Sequence, residues 1–497
     1  MAGITYALEI DWDNDDTYSN AYADVWSDVI DGSFSCERGR NFASYRDGRS
    51  MPGRLRCRMW NNNELYTPTN DQSPLHGLLH GGRRIRWKMA DDTGTLVTQW
   101  TGWVDEIVNH ENDIDSDYVE ISALGALSRI DWPVTVALQT DITTADAAKL
   151  LFDPDDSLTP DTDYVINGVD YNSSHFTGTR EMPYWWVGNE LVRAALTDLE
   201  LTEGGFVYER KDGFIAMDEW DWRITAAASV GTFTTMVQGI DEIPLSLNGY
   251  RPDQPLRELA NRFTSTVRQF ADGTEKTLWS GIGIVVPGGS GVTLRIEFPT
   301  RIAENNEVAV DDWVDPVSGT DYTAQTGLTV AFTGEGNSGE LVLSNSNRGD
   351  ITVDINIRGT PLLENDSFVI VTEDDDSIAE YGLREYISPA KWLGDIDEVE
   401  ELQDFQLTIY KDPAERVDAE WDAYYNRRLA ADLDLSDRCQ VIHDEMAHEY
   451  FVESIRHEVS GINHQVTMKL SPTAGYGTVI ILDIGPGLGT GVLGRSS

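Results

Sequence analysis

Two segments in the first hundred residues alternate between apolar and basic side chains, and this alternation constrains the fold more than any other feature. The alternating residues are Arg54, Leu55, Arg56, Cys57, Arg58 and Met59 in the first segment, and Arg84, Ile85, Arg86, Trp87, Lys88 and Met89 in the second. A period of two places successive side chains on opposite faces of a β-strand. Each segment is therefore predicted to be a strand with one apolar face and one basic face.

Patterns along the rest of the chain predict a mainly β protein with minor α content and several domains. The stretch up to Arg129 is predicted to be a small antiparallel barrel or sandwich. A mixed region follows, with a helix over Thr144–Leu151 capped by Thr143 or Thr144. A hairpin over Phe206–Met217 is predicted next, because Lys211-Asp212-Gly213 supplies a turn.

A segment rich in Gly, Ser, Thr and Val, from about Ser280 to Pro361, interrupts regions of different composition. Its short alternating runs predict an inserted β-sandwich. A helix is predicted around Val399–Tyr410. The strands predicted after it are Cys439–Asp444, Tyr450–Val459 and Gln465–Leu470.

Acidic residues far outnumber basic ones, at 85 Asp and Glu against 37 Lys and Arg, for a net charge of −48. Self-repulsion of this size would strain a compact fold in dilute buffer. The Debye length falls to about 3 Å in molar salt, which removes most of that strain. The scarcity of lysine and the spread of acids among aromatic residues favour a halophile's protein over an ordinary acidic one.

The segment from Arg38 to Lys88 reverses this charge pattern, and two interpretations of its basic faces are open. Its cations either pack over neighbouring aromatic rings and pair with acids, or form a contact with another subunit through charge complementarity. The candidate interface residues are Arg54, Arg56, Arg58, Arg84, Arg86 and Lys88. Nucleic-acid binding elsewhere is disfavoured, because phosphates require clustered cations.

Asp11, Asp13 and Asp15 occupy alternate positions, as at the start of a calcium loop. A full EF-hand is excluded, because Asp16 replaces the required Gly and Tyr22 replaces the required Glu. A loose calcium-binding turn and a solvated acidic turn remain as alternatives, and no other cofactor is expected.

The three cysteines, Cys36, Cys57 and Cys439, are expected to be reduced core residues. His443 and His448 are five residues apart, which does not fit the zinc-protease helix and favours a hairpin turn. No nucleophile, base and acid are arranged in a recognisable catalytic pattern, so the chain is not expected to be an enzyme.

A series of short blocks runs through most of the chain in a fixed order. The blocks are Tyr6–Asp15, Gly53–Cys57, Ser73–Gly77, Trp100–Glu106, Asn261–Val267, Asn345–Arg348, Ile357–Pro361, Ser377–Gly382, Leu433–Cys439 and Phe451–His457. In this order they resemble the tail-tip or baseplate hub family, the minor tail proteins, of long-tailed viruses.

The resemblance implies a trimer in which each subunit carries two tube-like antiparallel β-barrel domains. Three subunits would then form a pseudo-sixfold ring that adapts a hexameric tube to a threefold tip. The implied domains are 1–131 (first tube-like barrel), 132–235 (mixed α+β), 236–279 with 376–473 (second tube-like domain with helices), 280–375 (inserted sandwich) and 474–497 (glycine-rich tail).

The implied function is structural, in the distal tail of a virion that assembles in the host cytoplasm. The ring would give DNA a channel without binding it specifically. The expected partners are further copies of the chain, a tail tube or distal tail protein above, tip, fibre or receptor-binding proteins below, and a tape-measure protein in the bore. Acidic faces are expected to line the bore, and the basic strands to face a neighbouring subunit.

The acidic composition adds the expectation that the virus infects a haloarchaeon. No membrane span is expected, because no apolar stretch approaches about 18 residues. Two other functions stay open. A carbohydrate-binding or adhesion protein is suggested by the sandwich and by Trp279 and Trp313 near it. A tail-associated hydrolase is expected to need a further domain, for which little chain follows the last predicted strand.

Overall fold

The computed structural model describes residues 4–41, 48–110, 117–220, 229–235, 242–299, 301, 309–314, 327–335, 338–365, 367–388, 391–443 and 446–473. The elements up to residue 253 are β1 (Tyr6–Ile10), β2 (Phe34–Arg40), β3 (Ser50–Trp60), β4 (Arg84–Ala90), β5 (Leu96–His110), β6 (Tyr118–Leu124), β7 (Pro133–Thr143), α1 (Thr144–Phe152), β8 (Tyr164–Ile166), β9 (Val169–Tyr171), β10 (Glu181–Leu191), α2 (Val192–Glu203), β11 (Phe206–Glu209), β12 (Ile215–Asp218), β13 (Thr232–Thr234) and β14 (Glu242–Asp253).

The elements after residue 253 are β15 (Arg262–Val267), β16 (Phe270–Asp272), β17 (Lys276–Val286), β18 (Ser290–Glu297), β19 (Ala309–Val314), β20 (Leu328–Glu335), β21 (Ser338–Asn345), β22 (Ile351–Gly359), β23 (Leu362–Glu364), β24 (Phe368–Glu373), α3 (Asp375–Tyr381), β25 (Glu385–Ile387), α4 (Ile396–Tyr410), β26 (Arg416–Asp422), α5 (Arg427–Asp432), β27 (Arg438–His443), β28 (Met446–Ser460) and β29 (Asn463–Pro472). The mainly β class with minor α content is confirmed.

Twelve of these strands form one continuous sheet in the order β1-β4-β5-β6-β3-β2-β28-β27-β13-β14-β26-β29. We call β1–β6 module 1, and β13, β14 and β26–β29 module 2. Module 2 closes into a six-stranded barrel because β28 also pairs with β29. In module 1 the segment 23–30 bridges the gap beside β1, since Val25 N donates to Leu8 O (2.8 Å) and Ile30 N donates to Arg58 O (2.7 Å).

The predicted alternation fixes which strand faces form the core. Leu55, Cys57 and Met59 on β3 are all at most 1% exposed, whereas the arginines between them point to solvent. One hydrophobic core runs through both modules, from Leu8 and Trp87 to Ile455. The three cysteines are free and buried, as expected.

The mixed region between the modules has its own core, built from α1, α2 and the β7–β10 pair. Helix α1 begins as predicted, because Thr143 Oγ1 accepts a hydrogen bond from Asp146 N at 3.1 Å. The predicted hairpin is confirmed as β11 and β12, with Phe206 opposite Asp218.

The inserted sandwich consists of two three-stranded sheets, β17-β22-β19 and β18-β21-β20, which enclose an apolar core. Its strands occupy Lys276–Gly359, so it begins before the predicted residue 280 and ends before residue 375. The neck beneath it is formed by the pairs β15–β24 and β16–β23, and Asn365 N donates to Gln269 O at 2.8 Å.

The second predicted barrel differs from the observed one in its first segment. Strand β15 lies outside the barrel and pairs with β24 and β25 in a separate sheet. Helix α4, which confirms the helix predicted near Val399, covers this sheet with Val399 and Leu402, and Gln403 Nε2 donates to Ser265 Oγ at 2.8 Å. A polar helix-to-sheet contact of this kind leaves no trace in a period-two pattern.

Within the described residues, no helix combines the length and the apolar character that crossing a membrane requires. The predicted glycine-rich tail, 474–497, lies outside the described residues.

Candidate assembly surfaces

The six candidate interface residues fall into two groups that the structure treats differently. On β3, Arg54, Arg56 and Arg58 are exposed, and Arg58 Nε lies 3.4 Å from Glu120 Oε2. Among the described residues, Arg54 and Arg56 form no ion pair. These side chains are therefore available to a partner, and their interface role stays a prediction.

The cations of β4 are half-buried and already paired within the chain. Arg86 and Lys88 both bind Glu9, with Lys88 Nζ at 2.8 Å from Glu9 Oε2. Burial alone would raise the pKa of Glu9, but hydrogen bonds from Lys88 and Arg86 lower it below its ordinary value. Arg84 donates to Asp170 in the mixed region, where burial raises the pKa of Asp170 to about 6. These contacts match the interpretation in which cations pair with nearby acids.

The exposed face of β3 continues across the contact between the two modules. Glu37 on β2 lies opposite Arg54 on β3 and opposite Arg456 on β28. Directly opposed side chains in an antiparallel pair have Cβ atoms about 5 Å apart. Acids and bases thus alternate across this face, whereas the chain as a whole carries a charge of −48.

The two modules repeat the same strand order, which no sequence pattern indicated. Five strands of module 1 have a counterpart in module 2 with the same neighbours and antiparallel pairing: β2 with β14, β3 with β26, β4 with β27, β5 with β28 and β6 with β29. The sixth strand breaks the repeat. Strand β1 is antiparallel to β4, whereas β13 is parallel to β27.

The residue register also repeats, which allows position-by-position comparison. The first residue of β4, Arg84, pairs with Trp103 of β5. The first residue of β27, Arg438, pairs with Phe451 of β28 in the same way. Two positions further on, the pairing with β6 or β29 shifts at Asp105 and Glu453, respectively. Residues 106–110 of β5 therefore correspond to residues 454–458 of β28.

Strand β2 of module 1 joins β28 of module 2 edge to edge, from Phe34–Val459 to Gly39–Ser454. We call this contact the module joint. Cys36, Ile455 and His457 are buried in it, at 1–4% exposure. The joint therefore combines backbone pairing with buried side chains.

His457 and His464 form a buried pair beside the module joint, with His457 Nδ1 2.9 Å from His464 Nε2. The ring of Trp87 packs edge-on against both imidazoles. Burial lowers the pKa of His464 to about 3. Burial, followed by repulsion from His464, also lowers the pKa of His457. Both imidazoles are therefore neutral at physiological pH.

Each module also carries an edge that is unpaired among the described residues. Residues 106–110 of β5 pair with β6 on one side only, whereas their counterparts in β28 also bind β2. Ile107 is half-buried although its counterpart Ile455 is 1% exposed, and Asn109 Oδ1 is buried without a hydrogen-bond partner. We call residues 106–110 the β5 edge.

The second unpaired edge belongs to β14, the counterpart of β2. Arg251 and Asp253 pair with β26 on one side and are exposed, as is Pro252 between them. Nearby Leu247 is 95% exposed. We call residues 251–253 the β14 edge.

Glu209, which the sequence analysis missed, fastens the mixed region to module 1. Its buried carboxylate accepts hydrogen bonds from Gly53 N (2.7 Å) and from Leu127 N. A Cβ at Gly53 would lie 2.7 Å from Glu209 Oε2, and one at Gly125 would lie 2.1 Å from it, so a side chain at either position would displace this carboxylate. Burial raises the pKa of Glu209 to about 7 against the effect of these N–H donors.

The candidate calcium residues are engaged in the local loop. The carboxylate of Asp11 is 2% exposed and accepts hydrogen bonds from Asp15 N and Asp16 N. Asp13 accepts from Asn20 Nδ2 at 2.8 Å, and Asp15 from Thr17 Oγ1 at 2.8 Å. In the described part of the chain, no group of three or more His, Cys, Asp or Glu side chains is arranged to hold a metal ion. The calcium turn stays a prediction.

The solved structures that this chain resembles include three tail proteins, two of them from prophages. The 43 kDa tail protein of prophage MuSo2 from Shewanella oneidensis has a TM-score of 0.49 at 10% identity, with 95% of this chain and 99% of that chain covered. The tail protein from Neisseria meningitidis MC58 has a TM-score of 0.49 at 9% identity, with coverages of 96% and 98%. Prophage tail protein gp18 from Listeria monocytogenes EGD-e has a TM-score of 0.40 at 9% identity, with 94% of each chain covered. No family model and no curated protein matches the chain.

Proposed function

We propose that this chain is a structural hub subunit of the distal tail of a tailed virus. In this proposal three copies form a closed ring of six barrel modules around a channel for DNA. One observation carries the proposal: the chain contains two modules with the same strand order and register, joined edge to edge. Two like modules per chain convert a threefold assembly into one with approximate sixfold symmetry, which suits a protein placed between a hexameric tube and a threefold tip.

The module joint supports a ring more than an isolated pair. Its two edges are different, because β2 of one module meets the counterpart of β5 in the other. Contacts between unlike edges are head-to-tail, and such contacts produce rings when the rotation closes. An isologous dimer would use the same edge twice.

The proposed neighbours are a tail tube or distal tail protein above the ring, tip, fibre or receptor-binding proteins below it, and a tape-measure protein in the bore. We also propose a haloarchaeal host, because a surface with 85 acids and 37 bases suits molar salt. The excess of carboxylates would keep DNA from adhering as it passes.

We propose no bond-breaking role. Two of the buried carboxylates, Glu209 and Glu203, have structural partners. Glu209 binds backbone amides of module 1, and Glu203 accepts from Thr179 N (3.1 Å) and Arg180 N (3.0 Å). The carbohydrate-binding alternative gains no support from Trp279, whose side chain is half-buried against the sandwich core. The side chain of Trp313 lies outside the described residues.

The oligomeric state in molar KCl tests the proposal. Light scattering coupled to size-exclusion chromatography should give a mass near three times 55.4 kDa. Negative-stain images should show rings with six lobes. A mass of 55.4 kDa at every protein and salt concentration, with no rings in the images, would contradict the proposed function.

A further inference from the structure

The structure assigns the lateral contact between subunits to two specific strand edges. We infer that the β14 edge of one copy pairs with the β5 edge of the next copy, in the register of the module joint. This inference rests on the proposed function and names the surface through which the ring closes. The occupant of each edge is a second copy of the same chain.

The two strands of the module joint correspond to two strands whose edges lie outside it. In the module joint, β2 pairs with β28, and the counterparts of these strands are β14 and β5. The joint therefore uses one edge from each module, and the chain retains the complementary edge of each. A second joint of the same kind is not made within the chain, where residues 106–110 of β5 pair with β6 and residues 251–253 of β14 pair with β26, so we assign it to a contact between chains.

The β5 edge has the properties of an interrupted contact, and the β14 edge is exposed, with Pro252 offering a C=O group but no N–H. An unpaired strand presents a row of N–H and C=O groups that can pair with a further strand. At the β5 edge, Ile107 is half-covered and Asn109 Oδ1 is buried without a partner, whereas Ile455 in the module joint is 1% exposed. In the register of the module joint, pairing with β14 would place Pro252 opposite Asn109, as Cys36 lies opposite His457.

The register of the module joint also applies to the β14 and β5 edges. Ser35, Cys36 and Glu37 of β2 correspond to Arg251, Pro252 and Asp253 of β14, because each set pairs with equivalent positions of β3 and β26. In the module joint, Glu37 lies opposite Arg456. Since Arg456 corresponds to Val108, the intermolecular register places Asp253 opposite Val108 and Arg251 opposite His110.

This geometry departs from one expectation drawn from the sequence. A joint between strand edges leaves the exposed face of β3, with Arg54, Arg56 and Arg58, on a surface of the ring wall. These arginines then face the bore or another component of the tail, and the lateral neighbour is held by backbone pairing. Electrostatic complementarity is not required to close the ring.

Cysteine cross-linking of the full chain in molar KCl tests the inference. The variant D253C/V108C places cysteines at directly opposed positions, about 5 Å apart between Cβ atoms, close to the distance a disulfide spans. The matched control D253C/E106C moves one cysteine two residues along the same face, where the diagonal separation is about 7–8 Å. The native cysteines are buried in the fold.

Oxidation should convert the first variant into covalent dimers and trimers on a non-reducing gel, and should leave the control at least tenfold less cross-linked. The mass of each variant is measured in parallel. A trimer that cross-links equally in both variants, or in neither, overturns the assignment of the edges and leaves the ring itself standing. A monomer that never cross-links overturns the ring and the edge contact together. Cross-linking of either variant to a tube protein only, in a reconstituted tail, also overturns the inference.

Discussion

The buried pair of His457 and His464 predicts that acid weakens the module joint. The pKa of His464 is about 3 in the folded protein, against about 6.5 for an unperturbed histidine. A histidine with a lowered folded pKa contributes its full stability above the unfolded value. That stability is lost progressively as the pH falls from about 6.5 towards 3, because only the unfolded state takes up the proton.

The size of the effect follows from the distance between the test pH and the unfolded pKa. A pH of 5.0 lies about 1.5 pH units below the pKa of about 6.5 that His464 has in the unfolded state. Each unit corresponds to about 1.4 kcal/mol, so proton uptake by His464 on unfolding lowers the free energy of unfolding by about 2 kcal/mol relative to pH 7.5. His457 acts in the same direction. Buried carboxyls oppose it, because burial raises the pKa of Glu209 to about 7 and that of Asp437 to about 6.

The comparison of variants isolates the histidine contribution from these acids. Urea denaturation in molar KCl, followed by tryptophan fluorescence, is measured at pH 7.5 and pH 5.0 for the wild type, for His464→Asn and for the exposed control His76→Asn. The stability lost on acidification should be about 2 kcal/mol smaller in His464→Asn, and unchanged in His76→Asn. Equal losses in all three proteins would refute the reasoning.

Three further predictions test other parts of the structure. Glu209→Ala leaves two buried amides without an acceptor and should lower the free energy of unfolding by about 1–3 kcal/mol for each amide. A thermal melt measures this as a lower midpoint, whereas the control Glu181→Ala, at an exposed position, should leave the midpoint unchanged. An equal drop in the midpoint of both variants would contradict the structural role of Glu209. Ile455→Ala should cost about 2–5 kcal/mol in urea denaturation, because Ile455 is 1% exposed. Ile107→Ala should lower the stability of a single chain by less and should weaken the proposed trimer. Identical effects of the two variants would argue against the different burial of Ile107 and Ile455. Raising KCl from about 0.2 M to about 2 M should raise the melting temperature, because screening relieves carboxylate repulsion, and a constant or falling value would count against a halophilic origin.

Local patterns in the sequence were sufficient to predict single elements. The alternation around Leu55 and Trp87 predicted β3 and β4, and the cap at Thr143 predicted the start of α1. Each of these signals depends on neighbouring residues and on the solvent exposure of one face. The positions of Arg54, Arg56 and Arg58 on the exposed face followed from the same periodicity.

The long-range contacts could not be predicted in this way. Pairing of β2 with β28 joins residues more than 400 positions apart, and either strand would show the same alternation on any other partner. Glu209 gave no signal, because one carboxylate among 85 acidic residues is not distinctive until its burial is known. The repeat of strand order between the modules also left no signal in the sequence, because the two modules share their pairing register and not their side chains.

The neck of the sandwich brings the two ends of this domain together. The chain leaves the small sheet at Gln269 and returns at Asn365, and these two residues are hydrogen-bonded to each other at 2.8 Å. A domain whose termini lie close together, or a tight turn, can connect these two positions. The entropic cost of closing such a connection grows slowly with its length. A different domain at this position would leave the strand order of the twelve-stranded sheet unchanged, because the sandwich contributes no strand to that sheet.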